Sequence, residues 1–131
     1  MSITVIDYGS GNLKSAAKAL ESAANNINLN SKIIVTSDPK IIKQSDKIVL
    51  PGQGSFRDCY LGINKIPGLN ETLNEFVLVK KKPIFGICVG MQLFAKKGYE
   101  SQETQGFGWI DAEVRKINNL NKKLKLPHMG W

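Results

Sequence analysis

Residues 83–94 read Pro83-Ile84-Phe85-Gly86-Ile87-Cys88-Val89-Gly90-Met91-Gln92-Leu93-Phe94, and the fold is decided by this run. Pro83 opens it, Ile84, Phe85 and Ile87 spell a short buried strand, and Met91 to Phe94 continue as helix. Cys88 stands at the junction, with Gly86 and Gly90 two residues to either side. A strand that turns at once into a helix crowds the backbone of the junction residue, and the glycines remove Cβ atoms that would clash there. That is the pattern of a nucleophile elbow, which projects its side chain into solvent. At the first turn of a helix a thiol also meets the positive end of the macrodipole, which favours thiolate over thiol. The other reading of the same residues is a small cysteine packed between strand and helix, as most free cysteines are.

Working outward, apolar runs punctuated by glycine, proline and asparagine alternate with helical periods, the pattern of a parallel sheet flanked by helices. Ile3–Ile6 is the first strand, Asp7–Asn12 a glycine-rich turn, and Leu13, Ala16, Ala17, Leu20 and Ala24 recur at helical spacing. Lys32–Val35 is the second strand; Ser37, Asp38 and Pro39 open a short helix; Lys47–Leu50 is the third strand and Pro51–Ser55 a loop. Leu69, Leu73, Phe76 and Val77 mark another amphipathic helix before the elbow. Beyond Lys97, Gly98, Gly106 and Gly108 break the period, and Ile110–Ile117 alternates as an exposed or antiparallel strand. Asn118–Lys125 is polar, a hairpin tip or loop, and the sequence ends on Pro127, His128, Met129, Gly130 and Trp131. The expected class is α/β, a flavodoxin-like three-layer sandwich with a mostly parallel sheet.

At 131 residues the chain fits one domain. No apolar stretch approaches the roughly 20 residues that span a bilayer, and Met1–Ile6 leads straight into a strand without a signal-peptide pattern, so a cytoplasmic protein without membrane contact is expected. Its two cysteines, Cys59 and Cys88, are expected as reduced thiols and are too few for a zinc site, so neither metal nor cofactor is expected. The net charge of +7 comes almost wholly from scattered lysines. It lacks the arginine and aromatic interleaving of nucleic-acid readout, which favours a solvated surface over an anionic partner.

Two further segments bear on chemistry. Pro51-Gly52-Gln53-Gly54-Ser55 follows the third strand at its carboxyl end, and in an open α/β sheet these ends face the ligand crevice, so this loop and the elbow are neighbours. It can aim backbone N–H groups at a developing oxyanion, with the Val89 amide as a second donor, or it is an ordinary turn. Asp7-Tyr8-Gly9-Ser10-Gly11-Asn12 is either a tight turn with Asn12 capping the next helix or a phosphate cradle. It lacks the spacing of either nucleotide fingerprint, which favours the turn. His128 is the only histidine and lies in a turn on an apolar segment, a setting for packing or a partner contact.

Together these motifs resemble the triad-type glutamine amidotransferases, and among them the glutaminase subunit of imidazole glycerol phosphate synthase. The resemblance rests on Asp7–Asn12, Leu50–Phe56, Phe85–Phe94, Gly106–Val114 and Pro127–Trp131. It implies that Cys88 attacks the side-chain amide of glutamine, with Gly52, Gln53 and the Val89 amide around the oxyanion. Gln92 and Glu100 would hold the substrate's carboxylate and amino groups. Asn12, His128 and Trp131 would belong to the face that docks on a cyclase subunit, a (β/α)8 barrel, in a heterodimer that passes ammonia onward in histidine biosynthesis. Gln53 stands where that family usually carries valine, which a backbone role tolerates. The family's triad histidine and glutamate lie beyond the segment matching Trp131, and neither is among these 131 residues. The resemblance therefore implies a single domain, 1–131, incomplete at its C-terminus and lacking its last strands, with little or no glutaminase turnover. A non-catalytic module that keeps the cyclase-docking face or the glutamine pocket is the alternative, and a phosphate or nucleotide binder using Gly9–Asn12 is a third reading.

Overall fold

The computed structural model describes residues 1–118 and 125–127. Four strands, β1 (Ser2–Ile6), β2 (Lys32–Thr36), β3 (Lys47–Gly52) and β4 (Ile84–Cys88), form one sheet in the order β2-β1-β3-β4. Every pairing in it is parallel. Because β1 lies between β2 and β3, the chain leaves it in one direction and returns on the other side. This switch point opens a crevice at the carboxyl ends of β1 and β3.

Both faces of the sheet carry helices, so inner-strand residues are apolar on both sides. Ile3 and Val5 of β1 and Val49 of β3 pack with Leu13, Ala16 and Leu20 of α1 (Leu13–Asn26). The alternate residues, Ile6, Ile48 and Leu50, face a larger cluster built from α2 (Pro39–Gln44), α3 (Phe56–Asn64) and α4 (Leu69–Asn74). A π-helical turn over Glu75–Val79 prolongs α4 and buries Phe76. Thr4 is the polar exception in β1. Its hydroxyl lies 2.6 Å from that of Ser45, which in turn donates to the Ile41 carbonyl at 3.1 Å, so the buried polar pair keeps its hydrogen bonds.

After β4 come the single-turn helix α5 (Val89–Gln92) and a second sheet of β5 (Ala95–Gly98), β6 (Thr104–Gln105) and β7 (Ile110–Val114), in the order β6-β5-β7. The α/β three-layer sandwich with a parallel sheet is as expected.

Several boundaries differ. The third strand runs on through Pro51 and Gly52, because these residues pair with Ile87 and Cys88 of β4. The helix after Cys88 stops before Phe94: the Leu93 and Phe94 carbonyls accept from Phe107 N–H and Ile110 N–H, at 2.8 and 2.9 Å, which holds the chain extended into β5. The strand before the elbow is not buried. It ends the sheet among the described strands, and Phe85, level with Val49 on the α1 face, is 64% exposed at that edge. The strand expected over Ile110–Ile117 ends at Val114; it is exposed, as one of the two readings had it, and pairs with β5 in parallel rather than antiparallel.

Candidate active site

Local backbone packing fixes the elbow. Cys88 has φ 55° and ψ −121°, a conformation that costs a non-glycine residue about 1–3 kcal/mol and persists only where the surroundings enforce it. They do so here. A Cβ at Gly90 would overlap the Leu50 carbonyl oxygen, one at Gly52 the Gly90 nitrogen, and one at Gly86 the Met91 backbone. Three glycines thus let β3, β4 and α5 approach backbone to backbone, and Cys88 is left exposed at the start of α5 as a free thiol. Because α5 is one turn long, the thiol faces a few free amides rather than a long aligned dipole.

The loop after β3 is the elbow's neighbour, as its place at the strand end predicts. Gly52 is the register partner of Cys88. An open cavity of about 510 Å³ is lined by Cys88, Ile87, Gly52 and Gln53 together with Gly11 and Asn12 from the first turn. Asn12 caps α1, its side chain accepting from Ser15 N–H at 3.1 Å.

Sequence reasoning passed over two residues of that turn. Ser10 Oγ accepts from Gln53 N–H at 2.9 Å and donates to the Gln53 carbonyl at 2.7 Å, so both backbone polar groups of Gln53 are tied to the first turn. The buried Cys59 thiol adds a weak donor to the same carbonyl at 3.5 Å. Tyr8, buried beneath the turn, donates its hydroxyl to the Pro51 carbonyl at 2.5 Å. Burial first, and then the neighbouring Cys59, push the Tyr8 phenol far above its ordinary range. Both residues lie inside the quoted turn, but their polar side chains were overshadowed there by its glycines.

Gln92 and Glu100 line a second cavity, of about 300 Å³, with Phe56, Tyr99, Val114 and Arg115 around them. The Glu100 carboxylate accepts from Phe56 N–H at 2.8 Å, which places an anion at the first turn of α3. Gln92 follows Cys88 by four residues, at the other end of α5, and the two cavities share no lining residue. Val89 is buried at the start of α5. His128 and Trp131 lie outside the described residues. Among the described residues no helix is long and apolar enough to cross a membrane.

The whole chain is similar to three bacterial proteins named imidazole glycerol phosphate synthase subunit HisH. It is 53% identical over all 131 residues to those of Pelagibacter ubique and Bradyrhizobium diazoefficiens, and 50% identical to that of Rhodopseudomonas palustris. It spans 62%, 61% and 61% of their lengths, respectively. The family described as glutamine amidotransferase class-I matches residues 4–131, which takes in the first turn, the loop after β3 and the elbow. With a cysteine held in an elbow against that loop, and with that match, this chain belongs to the class-I glutamine amidotransferases.

Proposed function

We propose that this chain provides the glutaminase chemistry of an imidazole glycerol phosphate synthase, acting in the cytoplasm in histidine biosynthesis. The strained Cys88 elbow opposite Gly52 is the observation that carries this reading; the match to the glutamine amidotransferase family supports glutamine as the substrate, and the similarity to the HisH proteins supports the synthase. The Cys88 sulfur attacks the side-chain carboxamide carbon of glutamine. The carbonyl oxygen takes up negative charge and is met by backbone donors at Gly52 and Val89, joined by the Gln53 N–H once it leaves Ser10 Oγ. Collapse expels the nitrogen, which leaves as ammonia once protonated, and a glutamyl thioester remains on Cys88. Water then cleaves the thioester to glutamate and the free thiol.

Gln92 and Glu100 hold the substrate's carboxylate and ammonium at the far end, so that the side chain reaches along α5 to Cys88. The ammonia passes to a cyclase subunit with a (β/α)8 barrel, bound as a heterodimer on the face that carries Asn12, His128 and Trp131. The 131 residues hold one histidine, His128, which belongs to that docking segment. A general base is worth roughly 10²–10⁴-fold, so these residues alone turn glutamine over slowly or not at all.

The test is alkylation of the 131-residue protein by a glutamine-like diazoketone, read by mass spectrometry. Labelling of Cys88 that free glutamine suppresses, with Cys59 unlabelled, is the expected result. Labelling that glutamine leaves unchanged would remove glutamine as the substrate, and rapid ammonia release abolished by Cys88→Ala would overturn the slow turnover.

A further inference from the structure

Parallel topology gathers lysines that lie far apart in the sequence. In a parallel sheet every strand starts at the same end, and lysines stand at these starts. Lys32 opens β2, Lys47 opens β3, and Lys80, Lys81 and Lys82 lead through Pro83 into β4. Lys43 joins them from the last turn of α2: Lys80 Nζ donates to its carbonyl at 3.2 Å, and Lys82 Nζ to the Ser45 carbonyl at 2.5 Å. At the other end of the strands, where the crevice opens, β1 is followed by Asp7 and β2 by Thr36, Ser37 and Asp38.

Two carboxylates lie among these six lysines, and both are already engaged. Glu75 takes Lys43 at 2.8 Å and Lys80 at 3.6 Å, and Asp46 accepts from Ser2 N–H at 2.7 Å. Glu21 and Glu71 stand a turn or more back, on α1 and α4. Lys32, Lys47 and Lys81 are exposed, and none has an ion pair or side-chain hydrogen bond among the described residues. Lys81 has φ 51°, so a cation occupies a helix end that glycine would fill without strain. The same end exposes aliphatic side chains. Ile27, at the end of α1, is 70% exposed, and Val79, just before Lys80, is 74% exposed. Met1, whose carbonyl accepts from Lys32 N–H, is exposed too. A nucleic-acid strand would use the lysines but leave these aliphatic groups in water, and no arginine stands among them to read phosphate or base edges. An anionic bilayer takes up both, the charge at its headgroups and the aliphatic groups in the interface.

We propose that the amino end of the parallel sheet is a docking surface for an anionic lipid bilayer, held by Lys32, Lys47 and Lys81 at the phosphate headgroups and by Ile27 and Val79 beneath them. The crevice lies at the opposite end of the strands, so the docked protein keeps the Cys88 cavity facing water.

Vesicle sedimentation of the 131-residue protein tests this, with phosphatidylcholine alone and with about one-third phosphatidylglycerol added, in about 0.1 M salt. The protein is expected to pellet with the anionic vesicles only. Lys32→Gln, Lys47→Gln and Lys81→Gln combined should weaken that binding at least about tenfold. Lys14, Lys18 and Lys40 are exposed as well, early in α1 and α2 toward the crevice. Their combined replacement by glutamine gives the same net charge and should cost less than about threefold. Val79→Ser should weaken vesicle binding about threefold and leave the binding of a fluorescent oligouridylate unchanged. All these variants should keep the urea midpoint of the unsubstituted protein, because the side chains are exposed. Equal losses from the two triple variants would reduce the effect to net charge. Tighter binding of oligouridylate than of anionic vesicles, with Val79→Ser neutral on both, would assign the surface to nucleic acid. Either result, or a protein that pellets with neither vesicle, overturns the inference.

Discussion

The two halves of the site are held in place by different physics. Around Cys88 the constraint is backbone against backbone: Gly52, Gly86 and Gly90 bring three elements closer than any side chain would allow. Around Gln92 and Glu100 the constraint is ionic and largely exposed, through pairs such as Lys97 with Glu103, Arg115 with Glu113 and Lys96 with Asp111. Water and salt compete with the second kind of contact and leave the first untouched. The half around Cys88 is therefore rigid and intolerant of change, whereas the half proposed for recognition can exchange these exposed ion pairs, though not Gln92 or Glu100, at little cost in stability.

Gly90→Ala is the strongest way to break the contrast. Its methyl group meets the Leu50 carbonyl oxygen, which is part of the β3 backbone and has nowhere to go. A loss of at least about 3 kcal/mol in urea unfolding is expected, beyond the range of ordinary overpacking. A loss under about 1 kcal/mol would mean that the elbow relaxes easily and that its strain is not enforced.

Tyr8→Phe probes the layer beneath. The substitution keeps the ring and leaves the Pro51 carbonyl without its donor, at an expected cost of about 1 kcal/mol. The pH dependence has a definite sign. The folded-state pKa of Tyr8 lies above its ordinary value of 10.0, so the neutral phenol is the favoured folded form. Its contribution to stability is complete below pH 10 and is lost as pH rises through the folded value. Unfolding midpoints should fall above pH 10 in the unsubstituted protein and fall less in Tyr8→Phe. Parallel decline in the two proteins would shift the alkaline sensitivity to other groups.

Cys88→Gly separates strain from chemistry. Glycine adopts φ 55° freely, so the folded state is relieved, although the unfolded chain gains freedom that offsets part of the effect. A net stabilisation of about 1 kcal/mol is expected, with all diazoketone labelling at this position lost. A fall of about 0.4–1 kcal/mol, the whole cost of the freedom added to the unfolded chain, would show that the elbow conformation costs the protein nothing.

The same division accounts for what could be seen in the sequence. The elbow, the neighbouring loop and the Asn12 cap were legible because glycine spacing, a cap residue and apolar runs are local signals, and the structure joins Gly52 to Cys88 as expected. Of the second sheet only β7 was legible. Ala95-Lys96-Lys97-Gly98 has no β-branched residue, and it is extended because β7 pairs with it and because Phe107 and Ile110 capture the carbonyls that would have continued α5. Helix α3 was also missed, although Phe56, Cys59 and Ile63 fall on one buried face; its start is marked by Ser55 and by Glu100, which comes from 44 residues away. Ser10 escaped notice for the same reason, since its partner Gln53 is distant in sequence.

The finest test lies within the recognition half, between two carboxylates three residues apart. Glu100 accepts from Phe56 N–H at the start of α3, where an anion meets unpaired amides and the positive end of a nine-residue helix. Glu103 only holds Lys97, in solvent, and this contact is what raises the Lys97 pKa. Glu100→Gln should lower stability by about 0.5 kcal/mol, a loss that 0.5 M salt reduces, because the amide keeps a hydrogen bond and loses the charge. Glu103→Gln should leave the midpoint where it is. If the two substitutions cost the same, the anchoring of Glu100 to α3 contributes nothing to stability, and the recognition half would be held by its chain connection to the elbow alone.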